Sequence, residues 1–114
     1  MLEKQLKRRG IQAPKVLQAM ESTDRETFVP AEMKGEAYAD APLPIGGGQT
    51  ISQPYMVAYM AEALVLQPEM SVLEIGTGCG YQAAILSCLV KEVHSLEIVD
   101  SLAQKARENL QKIG

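Results

Sequence analysis

Apolar residues recur at helical spacing in five stretches of the chain and at strand spacing in two. Leu2 and Leu6 share one side of a polar start, which predicts a short helix over 2–9 broken by Gly10. Val16, Leu17 and Met20 predict a second helix over 14–21, with Pro14 in the tolerated first turn. A third helix is expected over 54–66, opened by Pro54 and lined by Val57, Met60, Ala61 and Leu64, with Pro68 just beyond. It is apolar nearly all round, so the pattern predicts that it is well buried. Residues 71–75 and 92–98 read as strands, with a helix over 80–90 between them. The last helix, 100–113, carries Leu102, Ala106, Leu110 and Ile113 on one face, with Asp100 at its N-cap and Gly114 at its C-cap.

The strand-helix-strand order from 71 to 98 is a βαβ unit, which requires adjacent parallel strands and a right-handed crossover. Parallel sheets normally have more members and are covered on both faces, so the chain reads as unfinished at its C-terminus. Residues 35–53 break the pattern. Tyr38, Asp40, Pro42, Pro44 and the triplet Gly46-Gly47-Gly48 exclude a regular helix or a central strand. So long an irregular connection points to a functional loop. Phe28, the single Phe, reads as a core anchor.

Composition narrows the classes. The chain has 114 residues, 46% hydrophobic and 22% charged, ordinary for one small folded domain. A net charge of -3 leaves no electrostatic footprint for nucleic acid. The basic run Lys4, Lys7, Arg8 and Arg9 is local and reads as a solvated helix face. No stretch reaches the roughly 18 apolar residues of a membrane helix, and the N-terminus lacks a signal-peptide core. Cys79 and Cys88 read as reduced thiols, which predicts a cytoplasmic protein. The one histidine, His94, alternates with apolar neighbours in a strand and has a structural reading. No metal site is expected.

The chemistry lies in Val72-Leu73-Glu74-Ile75-Gly76-Thr77-Gly78-Cys79-Gly80-Tyr81, a strand running into a glycine turn and a helix start. Such a turn brings backbone close to a ligand and aims free N–H groups at it. The dinucleotide fingerprint places its third glycine three residues after the second; here that position is Tyr81. The G-x-G-x-G spacing disfavours a pyrophosphate cofactor and favours one without it, such as S-adenosylmethionine. Glu97 ends the second strand, 21 residues after Gly76, where a carboxylate accepts from ribose hydroxyls. Glu74 is an acid in an apolar strand and needs a donor partner or a cationic ligand. Cys79 reads as a small filler, and Tyr81 as core or ligand contact.

A second segment, Leu43-Pro44-Ile45-Gly46-Gly47-Gly48-Gln49-Thr50-Ile51-Ser52-Gln53-Pro54, is more specific. Together with Val72 to Tyr81 it closely resembles the protein-L-isoaspartate O-methyltransferases, over nearly the whole chain. The resemblance implies the N-terminal portion of a Rossmann-like class I methyltransferase fold, an α/β architecture with an N-terminal helical region and a truncated parallel sheet. Residues 1–53 would form the helical region and a substrate and cofactor loop, and 54–114 the first βαβα part of the cofactor domain. It implies S-adenosylmethionine as cofactor and isoaspartyl-containing proteins as substrates, with methyl transfer to the isoaspartyl carboxylate as a repair step. The full-length protein is expected to be monomeric, and charge and hydropathy predict no nucleic-acid or membrane partner.

By the same resemblance Ser52 is the active-site serine in a positioning role; its other reading is an N-cap for the helix at Pro54. Gly46, Gly47, Gly48, Gln49 and Thr50 would form a loop over cofactor and substrate. Glu74, Gly76, Thr77, Gly78 and Gly80 carry over to the methionine end of the cofactor, Glu97 to the ribose, and Ile98 to the adenine or the core. Cys79 stands where many relatives have serine, and Val57 where some have histidine. The family continues well past residue 114, so the expectation is a longer gene product. On that reading this chain alone is weakly active or inactive, with an exposed strand edge that invites self-association. The competing readings are a non-catalytic cofactor- or partner-binding module and another class I methyltransferase.

Overall fold

The computed structural model describes residues 5–46 and 48–113. Leu2, Lys4, Gly47 and the Gly114 cap lie outside the described residues. The elements are α1 (Pro14–Ser22), β1 (Leu43–Gly46), β2 (Gln49–Ile51), α2 (Pro54–Ala63), β3 (Ser71–Ile75), α3 (Tyr81–Ser87), β4 (Glu92–Leu96) and α4 (Asp100–Ile113). Three 3-10 segments, Lys7–Arg9, Arg25–Phe28 and Ala31–Glu36, join the early part. The radius of gyration, 13.2 Å, is that of a folded chain of this length, about 13 Å.

β3 and β4 pair in parallel, with Glu74 opposite Ser95 and Ile75 opposite Leu96. The βαβ reading therefore matches the observed order. β4 ends at Leu96 rather than at 98, and α3 at Ser87 rather than at 90. Position 98 leaves the ladder because the Glu97 carboxylate turns back to accept the Val99 amide. Asp100 lies inside the first turn of α4, since Ala103 N donates to Val99 O. The expected Asp100 cap is thus displaced by one residue.

The segment 35–53 contains a hairpin that its proline and glycines had hidden. β1 and β2 pair antiparallel, Leu43 with Ile51 and Pro44 with Thr50. Pro44 is tolerated because each strand of a two-stranded ribbon has a free edge. Of the helix expected over 2–9, Gln5 and Leu6 are helical and Lys7–Arg9 forms a 3-10 turn closed by Gly10 at φ 98°, the rest lying outside the described residues. Arg9 is not simply solvated: it pairs with Asp40 and lies 5.6 Å from the centre of the Tyr55 ring.

One continuous core joins both halves of the chain. Leu6, Met20 and Phe28 pack with Val57, Tyr81 and Ile85. Phe28 meets Tyr81 edge-on at 5.5 Å, so the Phe28 anchor is observed as expected. α1 has no cap of its own; Glu62 of α2 accepts from the Gln12 and Ala13 amides, each at 2.8 Å. α2 is less buried than its composition suggests. Val57, Ala58 and Ala61 face the core, while Met56, Tyr59 and Met60 are exposed. The outer face of the β3–β4 pair is equally open at Leu73, Ile75 and Leu96. No helix among the described residues is long and apolar enough to cross a membrane.

Candidate functional site

β3 delivers the chain into the glycine turn, and β4 shapes it. Gly76 N and Thr77 N both donate to Leu96 O, at 2.8 and 3.1 Å. Two amides on one carbonyl force a sharp bend, and Gly76 takes φ +92°, where a side chain is strained. Gly80 serves a different end. A Cβ there would meet Leu110 at 3.3 Å and Ala106 at 3.4 Å, so the third glycine admits α4 rather than facing the cavity.

Glu97 locks this turn. One carboxylate oxygen accepts from Gly78 N at 2.7 Å, the other from Val99 N at 3.1 Å. The Gly78 amide, followed by that of Val99, holds the carboxyl below the usual range. Each oxygen keeps a second lone pair for a ligand hydroxyl.

Glu74 finds the donor its burial requires. Ser95, its register partner, donates to Glu74 Oε1 at 2.6 Å. Ser95 Oγ also meets Thr77 Oγ1. A carboxylate can only accept, so the hydrogen-bond line runs Thr77 to Ser95 to Glu74. Burial still pushes the Glu74 carboxyl up, with Glu97 adding to it and Ser95 opposing.

The loop and the turn converge. Thr50 and Ser52 line one small cavity, about 70 Å³, with Glu74, Gly76, Thr77 and Gly78. Ser52, Glu74 and Gly76 also border a larger groove, about 560 Å³, running along Tyr59 and Met60 of α2. Ser52 is not the cap of α2: Gln53 takes that place without a side-chain bond. The remaining predicted residues lie elsewhere. Gly46 borders a third hollow with Cys79 and Leu102. Gly48 and Gln49 are exposed, and Ile98 is 96% exposed at the strand end. Cys79 is buried, and burial pushes its thiol up, which suits a filler and not a thiolate nucleophile. Tyr81 lines the cavity floor and belongs to the core. No cluster of His, Cys, Asp or Glu among the described residues could hold a metal ion.

Sequence reasoning missed Arg25. Its side chain is fully buried, donating from Nε to Ala37 O and from Nη2 to Ser52 O at 2.9 Å, with the guanidinium 5.0 Å from the centre of the Tyr81 ring. It straps the loop to α3 beneath the cavity. Burial lowers its pKa from the ordinary arginine value. Asp40 assists from outside, bonded to Arg9 and to Gln53 Nε2. Gln82, beside Glu74, and buried Asn109, whose Nδ2 donates to Cys79 O at 3.1 Å, were missed as well.

The residues that fit a sulfonium nucleoside are thus present: an open glycine bend, a half-buried carboxylate with no cation beside it among the described residues, and a second carboxylate steering the turn. Comparison with known proteins agrees. The family model described as Protein-L-isoaspartate(D-aspartate) O-methyltransferase (PCMT) matches residues 1–114. A protein-L-isoaspartate O-methyltransferase of Synechococcus sp. (strain JA-2-3B'a(2-13)) is 55% identical over 114 residues, 100% of this chain and 47% of that protein. One from Myxococcus xanthus (strain DK1622) is 59% identical over 109 residues, 96% and 51%. A solved protein-L-isoaspartate O-methyltransferase superposes with a TM-score of 0.86 at 33% identity, over 100% of this chain and 39% of its own. A putative one from Plasmodium falciparum, in complex with S-adenosyl-L-homocysteine, gives 0.79 at 30% identity over 93% and 51%. The chain therefore spans about half the length of the curated relatives it matches.

Proposed function

The chain belongs to the protein-L-isoaspartate O-methyltransferase family, and from that premise we propose that its cavity binds the methionine end of S-adenosylmethionine for methyl transfer to isoaspartyl carboxylates in the whole protein. The observation that carries this reading is the meeting of Thr50 and Ser52 with Glu74, Gly76, Thr77 and Gly78 around one cavity. When bound, the cofactor supplies an electrophilic methyl group on a positively charged sulfur. A substrate carboxylate is ionised at neutral pH, so the residues of this chain would have no proton to move. The protein's task is then to position two groups in line and keep water out.

In this reading Glu74 faces the cofactor ammonium and Glu97 accepts from the ribose hydroxyls. The amides of Gly76, Thr77 and Gly78 line the bend, and Gly80 supports it through α4. Ile98, two residues past the end of β4, packs on the adenine. Ser52, held through its own carbonyl by Arg25, orients the substrate carboxylate with its hydroxyl; no histidine accompanies it as a base. Gly46, Gly48, Gln49 and Thr50 form a cover over cofactor and substrate, so 1–53 carries the helical region with a substrate and cofactor loop and 54–114 the first βαβα part of the cofactor domain. Free cysteines fit a cytoplasmic setting. Exposed Leu73, Ile75, Leu96 and Ile98 favour self-association of the 114-residue chain, to be read by sedimentation against concentration.

Calorimetric titration with S-adenosylmethionine is the direct test. Saturable binding that weakens in Glu97→Ala is expected; unchanged affinity in that variant would remove the ribose role. Methyl transfer to an isoaspartyl peptide, absent with the aspartyl isomer, tests the substrate.

A further inference from the structure

Ser95 lies in β4, outside every motif the sequence singled out, yet it joins two parts of the cofactor cavity. Its register partner is Glu74, and side chains paired in register on parallel strands stand on the same face of the sheet. Its hydroxyl donates to Glu74 Oε1 at 2.6 Å and receives the hydroxyl of Thr77, across the glycine bend from Glu74. Both ends of this line border the cavity. Resting on the cofactor reading above, we infer that Ser95 is a positioning residue that holds the Glu74 carboxylate ionised and aimed at the cationic group of the ligand.

The competing forces explain why such a residue is needed. Glu74 is half-buried, which disfavours its anion, and Glu97 repels it from the end of the same sheet. Cys79 and Tyr81 face the cavity from the start of α3, and burial pushes both up, so neither carries charge at neutral pH. Thr50, Ser52 and Val57 bring no charge from β2 and α2. Arg25 sits behind Tyr81, engaged with Ala37 and Ser52. Gln82 lines the same cavity, but among the described residues the hydrogen bond to Glu74 comes from the Ser95 hydroxyl, the donor on which the anion depends. Affinity for a cation rises as pH passes upward through the Glu74 pKa, and loss of the donor moves that rise to higher pH.

Threonine and valine at position 95 have nearly the same shape and both suit a strand, so the pair differs by the hydroxyl alone. S-adenosylmethionine affinity is measured by calorimetry across pH for the unsubstituted chain, Ser95→Thr and Ser95→Val. Ser95→Thr should keep the original profile. Ser95→Val should lose about tenfold at neutral pH, the scale of one hydrogen bond to a charged group, and recover part of it at higher pH. Carbon-detected NMR titration of the Glu74 carboxyl should show the same upward displacement in Ser95→Val without ligand. Coincident Thr and Val profiles, with binding intact, would overturn the role of Ser95. No binding by the unsubstituted chain would overturn the cofactor reading instead, and the inference with it.

Discussion

Replacing Arg25 by methionine tests whether the loop is strapped down by hydrogen bonds or merely packed. Methionine keeps an unbranched buried side chain but removes the donors to Ala37 O and Ser52 O and the charge over Tyr81. Hydrogen bonds from a charged donor contribute about 1.5–3 kcal/mol each, and a desolvated cation over an aromatic face about 2 kcal/mol. Against this stands Arg25 Nη1, buried with no hydrogen-bond partner, which costs about 1–3 kcal/mol. The balance is a loss of about 2–7 kcal/mol. With a urea dependence near 2 kcal/mol per molar, the unfolding midpoint falls by about 1–3.5 M. Arg25→Lys should fall in between, since a single ammonium has no planar fork to span two carbonyls.

The reasoning has a specific way to fail. A buried cation with no carboxylate partner pays a large desolvation cost, and apolar replacement of buried charges is sometimes neutral or stabilising. If Arg25→Met unfolds at the same urea concentration as the parent, or a higher one, the strap contributes nothing net. Ser52 would then owe its place to the β1–β2 hairpin alone.

Three further outcomes follow from the contacts. Gly80→Ala combines φ +92° with a 3.3 Å approach to Leu110, so it should cost about 2 kcal/mol and lower the melting midpoint by roughly 10 °C in calorimetry. Tyr81, pushed up to about 12 by burial, holds its proton more tightly folded than unfolded. Stability should therefore fall as pH rises from 10 through 12, with late tyrosinate absorbance coinciding with loss of helical circular dichroism. Asn109→Asp would bury a carboxyl against the Cys79 carbonyl, so denaturant titration should show it destabilised more at neutral pH than at acid pH.

The sequence pattern predicted the elements whose signal is local and lost those decided by distant contacts. β3, α3, β4 and α4 follow from periods of two and 3.6, and Phe28 from its size. The β1–β2 ribbon was hidden because Pro44 and three glycines read as breakers, though a ribbon edge tolerates both. α2 looked buried because composition says that a helix is apolar, not which of its sides is covered. Arg25, set between Asp24 and Glu26, reads as one more surface charge; only the fold turns it inward. Ser95 carries no motif at all, and its signal is the register opposite Glu74.

The contacts that shape the glycine bend are close in sequence. Gly76 and Thr77 bind Leu96, Gly78 binds Glu97, Glu74 binds Ser95, and Asn109 holds the Cys79 carbonyl. All lie between residues 74 and 109, so the hydrogen bonds that shape the bend come from within the βαβα segment. The proposed substrate side has no such autonomy. Ser52 depends on Arg25, whose other bond runs to Ala37, while Tyr59, Met60 and Ile75, along the groove it borders, stand open. On the proposed function, cofactor affinity and methyl transfer would rest on different contacts. Changes around Ser95 and Glu97 should act on binding, and changes around Arg25 on substrate placement. Arg25→Lys in the whole protein should accordingly raise KM for an isoaspartyl peptide while leaving cofactor affinity within about twofold, whereas an equal loss in both would mean that loop and bend move as one unit.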